Sequence, residues 1–125
     1  MIGFVMVGTN DLDKAIKFYD VLLKVINLNR TVTNKKYAGY SSKKKSEEIE
    51  FYITNPVNEE KATYGNGSQV SFVVDSKEIV DKFYHTAVEL GGKDEGAPGI
   101  RSGDYYCYIR DLDGNKTCVF AKLNN

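Results

Sequence analysis

A tripeptide returns at a fixed distance along this chain: Lys17-Phe18-Tyr19 recurs as Lys82-Phe83-Tyr84, an offset of 65 residues. The same offset lays Val5 on Val70, Val7 on Phe72 and Leu23 on Val88. A repeat of this length in a 125-residue chain restricts the fold to two copies of one small unit. Each copy opens with a short apolar stretch, Phe4 to Val7 and then Val70 to Val74. Each continues into residues that cap helices, Thr9-Asn10-Asp11 and then Asp75-Ser76, whose side-chain oxygens can accept bonds from the free N–H groups of a first turn. Helical spacing follows. Leu12, Ala15, Ile16, Tyr19, Leu22 and Leu23 lie on one face of the first helix, and Ile79, Val80, Phe83, Ala87, Val88 and Leu90 on one face of the second. Gly91-Gly92 ends the second helix.

Strand-like segments come after each helix. In the first half they run from about Asn29 to Thr33, Lys36 to Ser41 and Ile49 to Thr54. In the second half they run from Tyr105 to Arg110 and Thr117 to Lys122, with a weaker segment at Lys93 to Glu95. Asp111-Leu112-Asp113-Gly114-Asn115 joins the last pair and carries a turn signature. The chain therefore reads as α+β, two βαβββ modules at about 1–54 and 68–125, within a single domain. The linker at about 55–67 is rich in the turn formers Pro, Asn and Gly. Lys43-Lys44-Lys45 reads as a solvated hairpin tip, because Glu47 and Glu48 follow directly.

Composition removes whole classes of function. Seventeen basic and seventeen acidic residues give zero net charge, so nothing here supplies the basic field of a nucleic-acid binder. Only three of the basic residues, Arg30, Arg101 and Arg110, are arginine. One histidine cannot build a His-rich metal centre, and two cysteines cannot build a disulfide scaffold. The start of the chain has no basic n-region, and its longest uncharged run, Met1 to Asn10, is far too short to span a membrane. The expectation is a cytoplasmic protein without membrane partners. Cys107 and Cys118 are expected there as free thiols, although their nearness to one hairpin leaves a pairing geometrically open.

The two βαβββ halves resemble the vicinal oxygen chelate superfamily, which holds glyoxalase I, extradiol dioxygenases and bleomycin-resistance proteins. Gly8 to Tyr19 is similar to that family's first strand-to-helix passage, ending in its Phe-Tyr pair. Arg110-Asp111-Leu112-Asp113-Gly114-Asn115 is similar to its closing turn, with Leu112 where proline is usual. Gly65-Asn66-Gly67-Ser68 and Asp94-Glu95-Gly96-Ala97-Pro98-Gly99 resemble small bacterial members of the glyoxalase/bleomycin-resistance branch. The resemblance covers nearly the whole chain and implies a curved mixed sheet around a pocket, with the helices on the convex side. It also implies a homodimer.

Alternation along the strands then sorts side chains between the helix face and the pocket. Phe4, Met6, Glu50, Tyr52, Gln69, Ser71, Tyr106, Tyr108, Arg110, Cys118 and Phe120 fall on the pocket side, and Cys107 on the helix side. The family's metal positions map to Phe4, Glu50 or Tyr52, Gln69 and Cys118. Phe4 has no donor atom, and a thiolate suits the family's hard ions poorly. No cofactor or metal is therefore expected. The atypical trio Glu50, Gln69 and Cys118 is the alternative. The lone His85 falls on the second helix, away from every such position.

Without a metal the family's chemistry loses its main source of electrostatic stabilisation. The implied function is a protein that binds a small, partly apolar molecule, with tyrosine rings as contact surfaces. The alternatives are a glyoxalase-type lyase with Glu50 as general base, or with the atypical metal trio, and a bare interaction module. For Glu50 the plainer reading is an exposed strand-end glutamate, and for Cys118 a small buried hydrophobe.

Overall fold

The computed structural model describes residues 1–123. They fall into two compact units that divide between Tyr64 and Gly65.

The first unit holds β1 (Val5–Gly8), α1 (Leu12–Leu22), β2 (Leu28–Thr33), β3 (Tyr37–Ser42) and β4 (Phe51–Thr54). The second holds β5 (Val70–Val74), α2 (Lys77–Glu89), β6 (Lys93–Arg101), β7 (Asp104–Arg110) and β8 (Lys116–Ala121). Each unit folds into a four-stranded mixed sheet with one helix, in the orders β1-β4-β3-β2 and β5-β8-β7-β6. The first and last strands of each unit pair in parallel, and the remaining pairs are antiparallel. The repeat read from the sequence is thus a repeat of topology. No helix among the described residues is long and apolar enough to cross a membrane.

The capping residues act as their chemistry suggests. Asp11 accepts a bond from the Lys14 N–H at 3.1 Å, and Ser76 from the Ile79 N–H at 3.3 Å. Buried positions recur at the repeat offset. Ala15, Phe18 and Leu22 of α1 correspond to Val80, Phe83 and Ala87 of α2, and all six are buried. They pack the helix-facing side of each sheet, whose interior includes Tyr40, Phe51 and Ile53 in the first unit and Cys107, Ile109 and Val119 in the second. At about 1.5–3 kcal/mol for each fully buried large apolar side chain, these positions supply the main drive to fold.

Several boundaries and one face differ from the sequence reading. Strand β6 reaches Arg101, six residues beyond the segment expected to close at Glu95. The segment beyond Glu95 contains glycine and proline at 96–99. They are accommodated because β6 is an edge strand with register shifts between Asp94 and Gly99. Helix α1 does not stop cleanly: a 3-10 turn at Leu23–Ile26 follows it and ends on Asn27 in the left-handed region, at φ 65°. Helix α2 has no such extension and stops at Gly91, at φ 100°. The difference explains why Leu23 is fully buried while Val88, its partner in the repeat, is 42% exposed. Phe18 is buried, although the helical spacing left it off the core face.

The closing turn is held by one carboxylate. Asp111 is buried, and its Oδ1 accepts from the N–H groups of Asp113 and Asn115, both at 2.9 Å. Its Oδ2 accepts from Asn115 Nδ2 at 2.9 Å. Gly114 takes the positive φ of 91° that the turn requires. Leu112 is compatible with this geometry because the Asp111 bonds, rather than a proline ring, hold the loop. In the first unit the chain beyond β4 returns over the start of α1. There Asn10 clamps Ala62, accepting from its N–H at 2.8 Å and donating to its carbonyl at 3.2 Å.

Candidate functional site

Strand registers decide which side chains share the sheet faces that carry no helix. In the first unit Val5 pairs with Phe51 and Val7 with Ile53 on the helix side, so Met6 and Tyr52 share the open face. Phe4 and Glu50 precede the two strands with the same parity. The Phe4 ring meets Tyr52 edge-on at 5.0 Å, and Tyr37 meets Tyr52 edge-on at 5.5 Å. Gly39 leaves the gap into which Tyr52 leans: a Cβ there would lie 3.0 Å from the Tyr52 ring. Phe4 and Met6 are exposed, at 55% and 47%. Glu50 is exposed as well. Its main chain joins the sheet, with the N–H donating to the Tyr40 carbonyl and the carbonyl accepting from Val5.

The open face of the second unit is built differently. Ser71 pairs with Cys118, Tyr108 with Cys118, and Tyr106 with Phe120, so these five residues share one face. Gln69 lies one residue before β5 with the same parity, and donates from Nε2 to Ser71 Oγ at 2.9 Å. Tyr106 stacks on Phe120 at 4.9 Å with 15° between planes, and on Tyr108 at 6.1 Å with 3°. The result is a ladder of three nearly parallel rings. Two cations flank its Tyr108 end, Arg101 at 5.3 Å and Lys116 at 5.1 Å from the ring centre. Arg110 shares the face but is held by Glu95 at 3.1 Å and by the Gly114 carbonyl at 2.9 Å. The Arg110 bond keeps the Glu95 carboxyl below its ordinary range.

The two cysteines lie on opposite sides of the second sheet. Cys107 faces α2 and approaches the Val80 carbonyl at 3.7 Å, whereas Cys118 lies on the open face. Both are free and buried, and side chains that leave a sheet in opposite directions cannot be bridged. Burial pushes the Cys107 thiol up to about 12. Burial also raises Cys118, against the lowering pull of the Ser71 and Tyr108 hydroxyls. Neither thiol is activated as a nucleophile at neutral pH. His85 is exposed on α2, edge-on to Tyr84 at 5.4 Å.

The donor set at the mapped metal positions does not suit a hard divalent ion. Phe4 offers no donor, and Tyr52 is packed between Phe4 and Tyr37. Gln69 offers only a neutral amide oxygen, its Nε2 donating to Ser71, burial favours the protonated thiol at Cys118, and the exposed Glu50 is then the one charged hard donor of the set. No three His, Cys, Asp or Glu side chains come together among the described residues.

Sequence reasoning missed Tyr37, Arg101 and Lys116. The parity of Lys116 with Cys118 along β8 could have placed that lysine on the open face. Arg101 was out of reach because the strand carrying it was ended too early.

The family model described as Glyoxalase/Bleomycin resistance protein/Dioxygenase superfamily matches residues 1–119. A crystal structure of a glyoxalase/bleomycin resistance protein from Albidiferax ferrireducens T118 is 41% identical over 98% of both chains, with a TM-score of 0.88. The chain belongs to this superfamily. More distant structures share its fold. A glyoxalase/bleomycin resistance protein/dioxygenase family enzyme from Burkholderia phytofirmans PsJN is 19% identical, over 97% of this chain and 98% of that one, with a TM-score of 0.74. Lactoylglutathione lyase from Agrobacterium tumefaciens is 20% identical, over 97% and 92%, with a TM-score of 0.69. No curated protein matches the chain.

Proposed function

We propose that this protein binds a small, flat, partly apolar molecule without a metal, and that the aromatic ladder Tyr108-Tyr106-Phe120 is its contact surface. The observation that carries this reading is the near-parallel alignment of the three rings, within 15°. A planar guest can extend such a stack by lying against the ladder, and each aromatic contact contributes about 0.5–1.5 kcal/mol beyond area burial. Ser71, Gln69 and the Tyr hydroxyls at the margin supply polar contacts that orient such a guest. Two buried thiols without a disulfide fit a reducing compartment such as the cytoplasm.

The test is a panel of planar aromatic compounds titrated by NMR in the presence of a chelator. Saturable binding should shift the resonances of the ladder, and Phe120→Ala should weaken it about tenfold, one stacking contact's worth. Binding or turnover that requires an added divalent ion, and that is lost in Glu50→Gln, would overturn this reading. That outcome would favour a glyoxalase-type lyase with Glu50 as base, or with Glu50, Gln69 and Cys118 around a metal.

We also infer a homodimer. Its support is the exposed apolar side chains of Phe4, Met6 and Val73 (the last at 62%), which a second copy of the chain would cover. Sedimentation at micromolar concentration should give twice the 14.0 kDa chain mass, and Met6→Asp should shift it toward monomer. Monomer alone for the unaltered protein would overturn the inference.

A further inference from the structure

The aromatic ladder ends in positive charge that stacking alone does not use. Arg101 and Lys116 both sit within cation–π distance of the Tyr108 ring. Neither is in an ion pair: the pairs among the described residues are Arg30 with Asp20 and Arg110 with Glu95. Arg101 is not loose. Its Nη1 donates to the Tyr106 carbonyl at 2.8 Å and to the Gly99 carbonyl at 3.5 Å, and its Nη2 donates to the Ala97 carbonyl at 2.7 Å. A guanidinium has five N–H groups, so these bonds leave donors over for a guest. Gly96 makes the arrangement sterically feasible: a Cβ there would lie 2.8 Å from the Tyr108 ring and 3.2 Å from Arg101 Nη2.

A neutral flat molecule would use the rings and leave both positive charges without a counter-charge from the guest. A cationic one would be repelled. A planar ring bearing one carboxylate uses both features, with its ring against the ladder and its oxygens toward the guanidinium and the ammonium at the Tyr108 end. We propose that the guest is an aromatic carboxylate, selected by Arg101 and Lys116. This rests on the stacking surface proposed above.

A matched pair of probes separates the two claims. 2-Naphthoate and its neutral amide present the same ring with and without the charge. In titrations of the full chain, naphthoate should bind at least tenfold more tightly than naphthamide, and the gap should narrow as salt is raised. Lys116→Gln and Arg101→Gln should each reduce naphthoate binding severalfold and narrow the gap between the two probes. Should Arg101→Gln fail to fold, the lysine variant still carries the test. Equal binding of the two probes would overturn the charge selection and leave the stacking surface standing. Binding of neither probe, with Phe120→Ala and the unaltered protein indistinguishable, would overturn both.

Discussion

Asp20 is the hub of a small polar cluster on the helix side of the first sheet. It accepts from Arg30 Nε and Nη2, both at 2.9 Å, and from the Tyr40 hydroxyl at 2.9 Å. The ion pair is about one-third exposed on each side and contributes little by itself. Tyr40 is fully buried, and its hydroxyl would be orphaned without Asp20. Burial first, and then the Asp20 bond, raise the Tyr40 ionisation above the ordinary 10.0. The Cys107 thiol is raised from 9.0 to about 12, chiefly by burial. In both cases the fold prefers the protonated group. Their stabilisation is therefore fully present below the unfolded-state values and is lost as the unfolded chain begins to ionise. Denaturant unfolding as a function of pH should show stability falling from about pH 9 upward, with Tyr40 adding to the loss above pH 10. Cys107→Ala should flatten the first part of the decline. Tyr40→Phe should flatten the second and cost about 1 kcal/mol at neutral pH, the worth of one hydrogen bond. A profile unchanged in both variants would refute the assignment.

Strand β6 shows how an element can hide from sequence reading. Its glycines and proline carry turn propensity, and nothing local distinguishes a turn from an edge strand broken by register shifts. What decides is tertiary: β7 pairs with the segment on both sides of its register shifts, from Lys93 to Gly96 and from Gly99 to Arg101, and the absent side chain at Gly96 admits the Tyr108 ring. Gly96→Ala is expected to destabilise the protein by about 1–3 kcal/mol through overpacking, and to displace Tyr108 and Arg101 together. Thermal unfolding of that variant, with the Tyr108 ring signals followed by NMR, checks both effects. An unshifted midpoint would mean that the edge strand moves aside freely. Other elements were legible because their cause is local. Asp11 and Ser76 cap their helices through bonds three residues away, and the turn at Asp111 closes within five residues. The 3-10 turn after α1 was not legible, since Leu23–Ile26 continues an apolar helical spacing and only the handedness of Asn27 ends it.

At the scale of the whole chain, the repeat was the most informative signal. It set the number of strands, their succession along the chain and the faces toward which Val5, Val7, Val70 and Phe72 point. It could not disclose what the open faces do, because pocket chemistry depends on which rings and charges meet across strands. Tyr106, Tyr108 and Phe120 were placed on one face by alternation, but their parallel stacking and the flanking cations belong to three-dimensional packing.

The registers that pair Met6 with Tyr52 and Ser71 with Cys118 make these residues counterparts in the two sheets, yet they share no chemistry. Their neighbours on the helix side, Val5 and Val70 or Phe18 and Phe83, remain alike. A strand that alternates its side chains separates two kinds of selection by a single residue step. One side answers for folding, while the other carries side chains that the core does not constrain. A repeated unit of this kind can therefore differ on its open face while its framework stays recognisable.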